Sequence, residues 1–221
     1  MTKTELRLAV FDCDGTIVDS QYSIIACMHA AFDTYQLPLP NRESIRRVVG
    51  LPLLDAVAVL IPEAERDVIE GIRTEYGRAW HFLRETEGLD EPLFPGLKEV
   101  LDALETQGWL LGIATGKSRR GLHGTLEKHD ILDKFATLQT ADHAVGKPHP
   151  DMLYQAMNET GVSAAGTVMI GDTTFDMEMA RNAGVVAIGV SWGYHDAEKL
   201  RQMGAADVIN TFEELPRVLT T

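Results

Sequence analysis

Cysteine is scarce in this chain: there are two, Cys13 and Cys27. They form neither a metal-spaced cluster nor a disulfide framework, which fits a reducing compartment, and both read as small buried side chains. No basic run appears either. The 20 Lys and Arg face 33 Asp and Glu, and the formal charge of −13 is spread along the chain, which excludes nucleic acid and anionic membranes as general partners. An anionic ligand would have to be met locally, by a cation, a few Lys or Arg side chains and backbone N–H groups. No stretch approaches the length of a membrane span, and Met1–Glu5 leads into a short apolar run with no signal-peptide core. The expectation is a cytoplasmic protein without membrane attachment. There is no internal repeat and no low-complexity tract. With 221 residues, 45% of them hydrophobic, the chain can bury one substantial core and a smaller second one, so disorder is excluded.

What is present is a rhythm. Short apolar runs at Leu6–Phe11, Trp109–Ala114, Thr167–Ile170 and Val185–Val190 are each followed by a turn rich in Gly, Asp or Thr and then by a helical pattern. Weaker runs stand at Ala136–Gln139 and Asp207–Ile209. Runs with almost no polar interruption read as strands covered on both faces, and the helices between them supply parallel crossovers. The expected fold is α/β, a doubly wound parallel, Rossmann-like sheet.

One interval breaks the rhythm. Between Ile17 and Glu87 the signals are only helical, beginning with Ile24, Met28, Ala31, Phe32 and Tyr35 at spacings of three and four. Asn41 can cap a short helix that Gly50 ends, Leu51–Leu60 reads as an apolar helix, and Pro62 suits the first turn of a longer one reaching Arg84. This divides the chain into a core, 1–16 and 88–221, and an inserted all-helical cap domain, 17–87. The return linker Gly88–Phe94 contains Pro92.

In an open parallel sheet, ligands bind beyond the carboxyl ends of the strands. The first strand is followed by Asp12-Cys13-Asp14-Gly15-Thr16 and the second by Thr115-Gly116-Lys117. The weak third is followed by Gly146-Lys147-Pro148, and the fourth by Gly171-Asp172-Thr173-Thr174-Phe175-Asp176. Carboxylates, a hydroxyl and two lysines should therefore meet at one edge of the sheet.

These four segments, in order and spacing, resemble the four motifs of the haloacid dehalogenase-like hydrolase superfamily. The helical insertion resembles the cap of its phosphoglycolate phosphatase-like branch. The resemblance covers nearly the whole chain and implies a Mg²⁺-dependent phosphoric monoester hydrolase working through an aspartyl-phosphate. Asp12 would be the nucleophile, dividing one difficult displacement into two. Asp14 would protonate the leaving oxygen and later deprotonate the attacking water, a role needing a proton affinity raised by burial and neighbouring negative charge. Asp12 and Asp172 would give carboxylates to Mg²⁺, and the resemblance assigns it the backbone carbonyl of Asp14. Asp176 would orient the metal site from outside its ligands, or serve as a helix N-terminal carboxylate, or both. Thr115 and the amide of Gly116 would hold the phosphoryl oxygens, and Lys147 would neutralise charge gathering on them. Lys117 competes for that part. The extended conformation of a residue before proline favours Lys147 and leaves Lys117 as a surface lysine. Gly15 and Gly171 would let backbone approach the site closely.

Some rivals are weakened by residues. Asp14 argues against a dehalogenase, which attacks carbon and needs no acid there. Relatives that cleave phosphonates use a cap lysine, and no lysine occurs between Ile17 and Glu87. Sugar-phosphate mutases of the family carry a basic residue in the cap turn, whereas this turn reads Val48-Val49-Gly50-Leu51-Pro52, with Arg46 and Arg47 nearby. A phosphomutase stays as the alternative. A receiver-like phosphoacceptor or non-catalytic binding module is the alternative of another class, although a receiver would be shorter and lack the cap. Gly50 and Arg47 are placed near a small phosphorylated metabolite, in a monomer or homodimer. His123, His129, His143, His149 and His195 have no metal-like spacing, and Trp80, His81 and Phe82 read as core packing.

Overall fold

The computed structural model describes residues 6–86 and 91–219. Six parallel strands form one sheet: β1 (Arg7–Phe11), β2 (Trp109–Thr115), β3 (Thr137–Thr140), β4 (Thr167–Gly171), β5 (Val186–Val190) and β6 (Asp207–Ile209), in the spatial order β3-β2-β1-β4-β5-β6. Both weak runs of the sequence are strands, at the two edges. The α/β doubly wound fold expected from the sequence is the fold observed.

Side chains alternate across a strand, and β1 shows the consequence. Ala9 and Phe11 join one buried cluster, with Leu101 and Leu104 of α5 (Leu97–Thr106) and Leu122 and Leu126 of α6 (Arg119–Lys128). Leu8 and Val10 join the opposite one, with Met152 and Leu153 of α7 (Asp151–Thr160) and Met177 and Met179 of α8 (Thr174–Ala183). The sheet is sealed on both faces. Two short helices, α9 (Ala197–Gln202) and α10 (Leu215–Val218), complete the order.

The region after β1 is helical, as its period of three and four requires. It holds α1 (Gln21–Thr34), α2 (Arg42–Val48), α3 (Leu53–Leu60) and α4 (Arg66–Thr86). Asn41 caps α2 by accepting from the amide of Ser44 at 2.8 Å. These helices bury a core of their own, including Met28, Phe32, Ile45, Val57 and Ile72. Pro62 lies in the turn before α4 rather than in its first turn, since the helix begins only at Arg66. Ile17 and Val18 pack with the sheet's cluster rather than with the helices. Val18 pairs antiparallel with Leu93, and the amide of Asp19 donates to the carbonyl of Pro92 at 2.9 Å. The chain therefore leaves the sheet and returns to it side by side. Of the linker Gly88–Phe94, residues 88–90 lie outside the described residues.

Candidate active site

Register brings the strand ends together. Phe11 is level with Ile113 of β2 and with Ile170 of β4. Asp12, Thr115 and Asp172 therefore emerge at one edge, and the amide of Asp12 still donates to Ile170 at 2.9 Å. Asp12, Asp172 and Asp176 are buried, each offering a carboxylate oxygen within 4.8 Å of the others.

Among the described residues, one ammonium enters this cluster. Lys147, 1% exposed, lies 2.8 Å from Oδ1 of Asp12 and 2.6 Å from Oδ1 of Asp176. Burial works against its charge, but the two carboxylates outweigh burial and hold the ammonium above its ordinary range. Burial pushes the Asp12 carboxyl up, to about 7, with Lys147 opposing and Asp176 reinforcing the rise. Burial also raises Asp172, and the charges of Asp12 and Asp176 add to it. Three carboxylates facing one ammonium leave a local excess of negative charge.

The carboxylate oxygens are committed unequally. Asp172 accepts from Thr16 Oγ1 at 2.7 Å on one oxygen and from the amide of Tyr194 at 2.8 Å on the other. Asp176 uses Oδ2 to accept from the amide and hydroxyl of Thr173, at 3.0 and 2.7 Å, closing a capping box at the start of α8. Its helix-capping role and its place beside the cluster coexist. Asp12 uses Oδ1 for Lys147 and for the amide of Cys13 at 2.6 Å. Among the described residues, Oδ2 of Asp12 has no hydrogen-bond partner. That oxygen is left for a ligand to meet. This all-oxygen, over-negative group fits a hard divalent cation, which would neutralise the excess.

Glycine is required at one point of this packing. Gly15 has φ +83°, and a Cβ there would lie 2.4 Å from Oδ2 of Asp172 and from the Tyr194 ring. The Asp12-to-Thr16 loop thus reaches Asp172 only because residue 15 has no side chain. Gly171 is similarly close, with a Cβ falling 2.4 Å from the carboxyl carbon of Asp176.

Asp14 stands apart from this triad. Its carboxylate accepts from Nζ of Lys117 at 2.6 Å. The neighbouring charge expected there was negative, and its ion-pair partner is a cation. Lys117 is therefore no surface lysine: its side chain is 8% exposed, and its ammonium sits 4.6 Å from the centre of the Trp80 ring. The sequence reading failed because the chain packs α4 over the loop after β2, and spacing alone does not reveal that. Thr115 is 1% exposed at the end of β2, and its Oγ1 accepts from the amide of Lys117 at 3.2 Å.

A cavity of about 380 Å³ opens over Asp12, Asp14, Thr115 and Gly116 and runs between the sheet edge and the helices. Gly50 lines it and Arg47 does not. Arg47 is exposed and paired with Glu43 one turn earlier on α2, at 3.2 Å, beside a separate groove that includes Arg46 and His195. Arg46 donates to Gln21 and to the carbonyl of Gly193, at 2.9 and 3.0 Å. Helix α2 thus turns both arginines away from the cavity. Trp80 packs against the helical core, as expected, and also lines the cavity; His81 is exposed at the cavity wall and Phe82 is 62% exposed, so these two are not core residues. Of the histidines, His129 bonds the carbonyl of Glu91 at 2.7 Å, and His195 accepts from the amide of Thr174 at 3.0 Å.

The turn from Gly50 to Pro52 rests on two core loops through glycines. A Cβ on Gly116 would lie 2.9 Å from the carbonyl oxygen of Leu51, and one on Gly146 would lie 2.0 Å from Cγ of Pro52. The contacts of Thr16 and Tyr194 with Asp172 and of Lys117 with Asp14 are ones that motif reading missed. Extending the strand-end test to the fifth strand, where Gly193-Tyr194 follow, would have drawn attention to Tyr194.

Comparison with known proteins agrees with this geometry. The family model described as haloacid dehalogenase-like hydrolase matches residues 9–190. A curated relative, "Probable phosphatase IndB" of Dickeya dadantii (strain 3937), is 36% identical over 94% of this chain and 91% of its own length. The phosphoglycolate phosphatase of Vibrio parahaemolyticus is 27% identical over 99% of this chain and 98% of its own. Among solved structures, a hydrolase from Pseudomonas syringae superposes with a TM-score of 0.86 at 25% identity, covering 97% of this chain and 98% of that one. With its fold, its strand-end motifs and its sequence all in agreement, the chain belongs to the haloacid dehalogenase-like hydrolase family.

Proposed function

We propose that this protein is a Mg²⁺-dependent phosphatase that hydrolyses a small phosphorylated metabolite through an aspartyl-phosphate on Asp12. The observation that carries the reading is the unequal commitment of the Asp12 carboxylate. Oδ1 is held by Lys147 and the Cys13 amide, while Oδ2 has no partner. A side chain fixed by one oxygen and free at the other is oriented for attack. The names of the relatives support phosphate-ester chemistry.

Mg²⁺ would be held by Asp12 and Asp172, with the backbone carbonyl of Asp14 as the family resemblance suggests, and Asp176 would keep Lys147 and the start of α8 in place. Bound there, the ion would offset negative charge on the phosphoryl oxygens. Oδ2 of Asp12 bonds to phosphorus as the ester oxygen leaves, and Asp14 gives that oxygen a proton. Water then attacks phosphorus, gives its proton to Asp14 and frees Asp12. Thr115 and the Gly116 amide hold non-bridging oxygens, and Lys147 balances the charge that spreads onto them. The four helices over the cavity act as a cap that excludes bulk water.

Hydrolysis is favoured over phosphomutase chemistry by the cap turn. Its residues Val48–Pro52 carry no cation, and Arg47 is engaged with Glu43 away from the cavity. The test is phosphate release from a metabolite panel with Mg²⁺, with chelator, and with Asp12→Asn. Activity is expected only for the unmodified protein with Mg²⁺. Full activity in Asp12→Asn would sink the reading.

A further inference from the structure

We propose that the leaving group of the substrate is an alcohol bearing a flat, largely apolar ring, seated against Trp80 and Tyr76 between the sheet edge and the cap. This rests on the phosphatase reading above and deepens it. The cavity is far larger than a phosphoryl group needs, and about 380 Å³ falls in the range of pockets for whole small molecules. Beyond the reacting end one wall is apolar, with Met28, Leu51, Leu54, Tyr76 and Trp80, while Arg73, His81, Arg84 and Arg120 stand at its exposed side.

The wall has an order. Lys117 touches Asp14, the proposed acid, at 2.6 Å and lies 4.6 Å from the centre of the Trp80 ring. Trp80 thus stands next along the wall, beyond the ammonium that holds the proposed acid. Tyr76 continues the surface one helical turn away, its ring stacked on Trp80 with centroids 6.1 Å apart and planes 26° apart. Both rings line the cavity and offer a planar body apolar burial beside aromatic surface. The guanidinium groups of the cavity belong to exposed residues, Arg73, Arg84 and Arg120. A small, wholly polar leaving group such as glycolate or a second phosphate would bury none of the cavity-facing surface of these rings.

The experiment compares kcat/KM for 2-phenylethyl phosphate and ethyl phosphate, which share a primary alkoxide leaving group and differ in the ring, alongside phosphoglycolate and pyrophosphate. The expected result is a preference of about tenfold or more for the ring-bearing ester over each of the others. Trp80→Ala should reduce the phenylethyl-to-ethyl ratio about tenfold, and Trp80→Phe should restore most of it. Phe82→Ala, on the exposed side of α4, should leave the ratio as it was. A ratio near one, a preference for phosphoglycolate or pyrophosphate, or a ratio indifferent to Trp80→Ala would overturn the inference while leaving the phosphatase reading intact. Hydrolysis of none of the four esters would overturn both.

Discussion

The ammonium of Lys117 lies 2.6 Å from a carboxylate oxygen of Asp14, so the residue assigned to move protons is held by a cation under the cap. Burial opposes the Lys117 charge, and the neighbouring groups, Asp14 foremost, together outweigh it and hold the ammonium above its ordinary range. The pair fixes where the Asp14 carboxylate stands.

Lys117→Met should therefore lower kcat/KM about tenfold, equivalent to ~1.4 kcal/mol, by leaving Asp14 unfixed. Steady-state kinetics, with circular dichroism to establish that the fold is kept, make the measurement. Unchanged kinetics would return Lys117 to the status of a bystander.

Removing the other buried lysine should act first on stability. Lys147→Met strips from Asp12 and Asp176 the ammonium that pairs with both, and breaking a buried pair from one side costs about 3–5 kcal/mol. Denaturant unfolding should show that loss. Added Mg²⁺ should recover more stability in the variant than in the parent, because the variant's carboxylates have lost their counter-charge. Equal stabilisation of both proteins would contradict the charge accounting.

Glu91 gives a prediction in pH. It is 5% exposed, and its Oε1 has no hydrogen-bond partner among the described residues. Burial raises its carboxyl, Lys117 opposes the rise and Asp14 adds to it. A raised carboxyl means that, above the unfolded value of ~4.3, the folded state holds more protons than the unfolded one, so stability falls as pH rises through that window. Glu91→Gln removes the titration. It should gain about 1 kcal/mol at pH 7 and lose that advantage below roughly pH 4, read from denaturant midpoints. A gain independent of pH would contradict the assignment.

The cap turn should be sensitive to single methyl groups. Gly146→Ala places a Cβ against Pro52, and Gly116→Ala places one against the Leu51 carbonyl. Overpacking of this kind costs about 1–3 kcal/mol. The turn can relieve it by lifting, so KM should rise several-fold with a smaller loss of global stability. Unfolding without any change in KM would show that the contact serves folding alone.

The sheet was legible because buried parallel strands are apolar on both faces, and the run at Leu6–Phe11 needs no partner to be recognised. The strand-end rule then assembled Asp12, Thr115, Lys147 and Asp172 from four distant segments. Contacts between the helical body and the core were not legible. Arg47 and Lys117 exchanged the environments expected of them, since the tilt of α2 and α4 over the loops decides which cations face inward, and no local pattern encodes it. Trp80 was legible only in part: it packs against the helical core as expected, but an aromatic residue on an amphipathic helix does not reveal that it also lines a cavity. Tyr194 contributes its backbone amide to Asp172, a function that side-chain identity does not reveal.

The most direct measurement of the central claim is chemical trapping of the intermediate. With Mg²⁺ and excess substrate, the reaction is quenched in acid within a single turnover and the digested protein is examined by mass spectrometry. The account predicts one phosphoryl group on the peptide containing Asp12, removed by hydroxylamine and absent from Asp12→Asn. Product formation in that turnover with no phosphoryl group on Asp12 would contradict it.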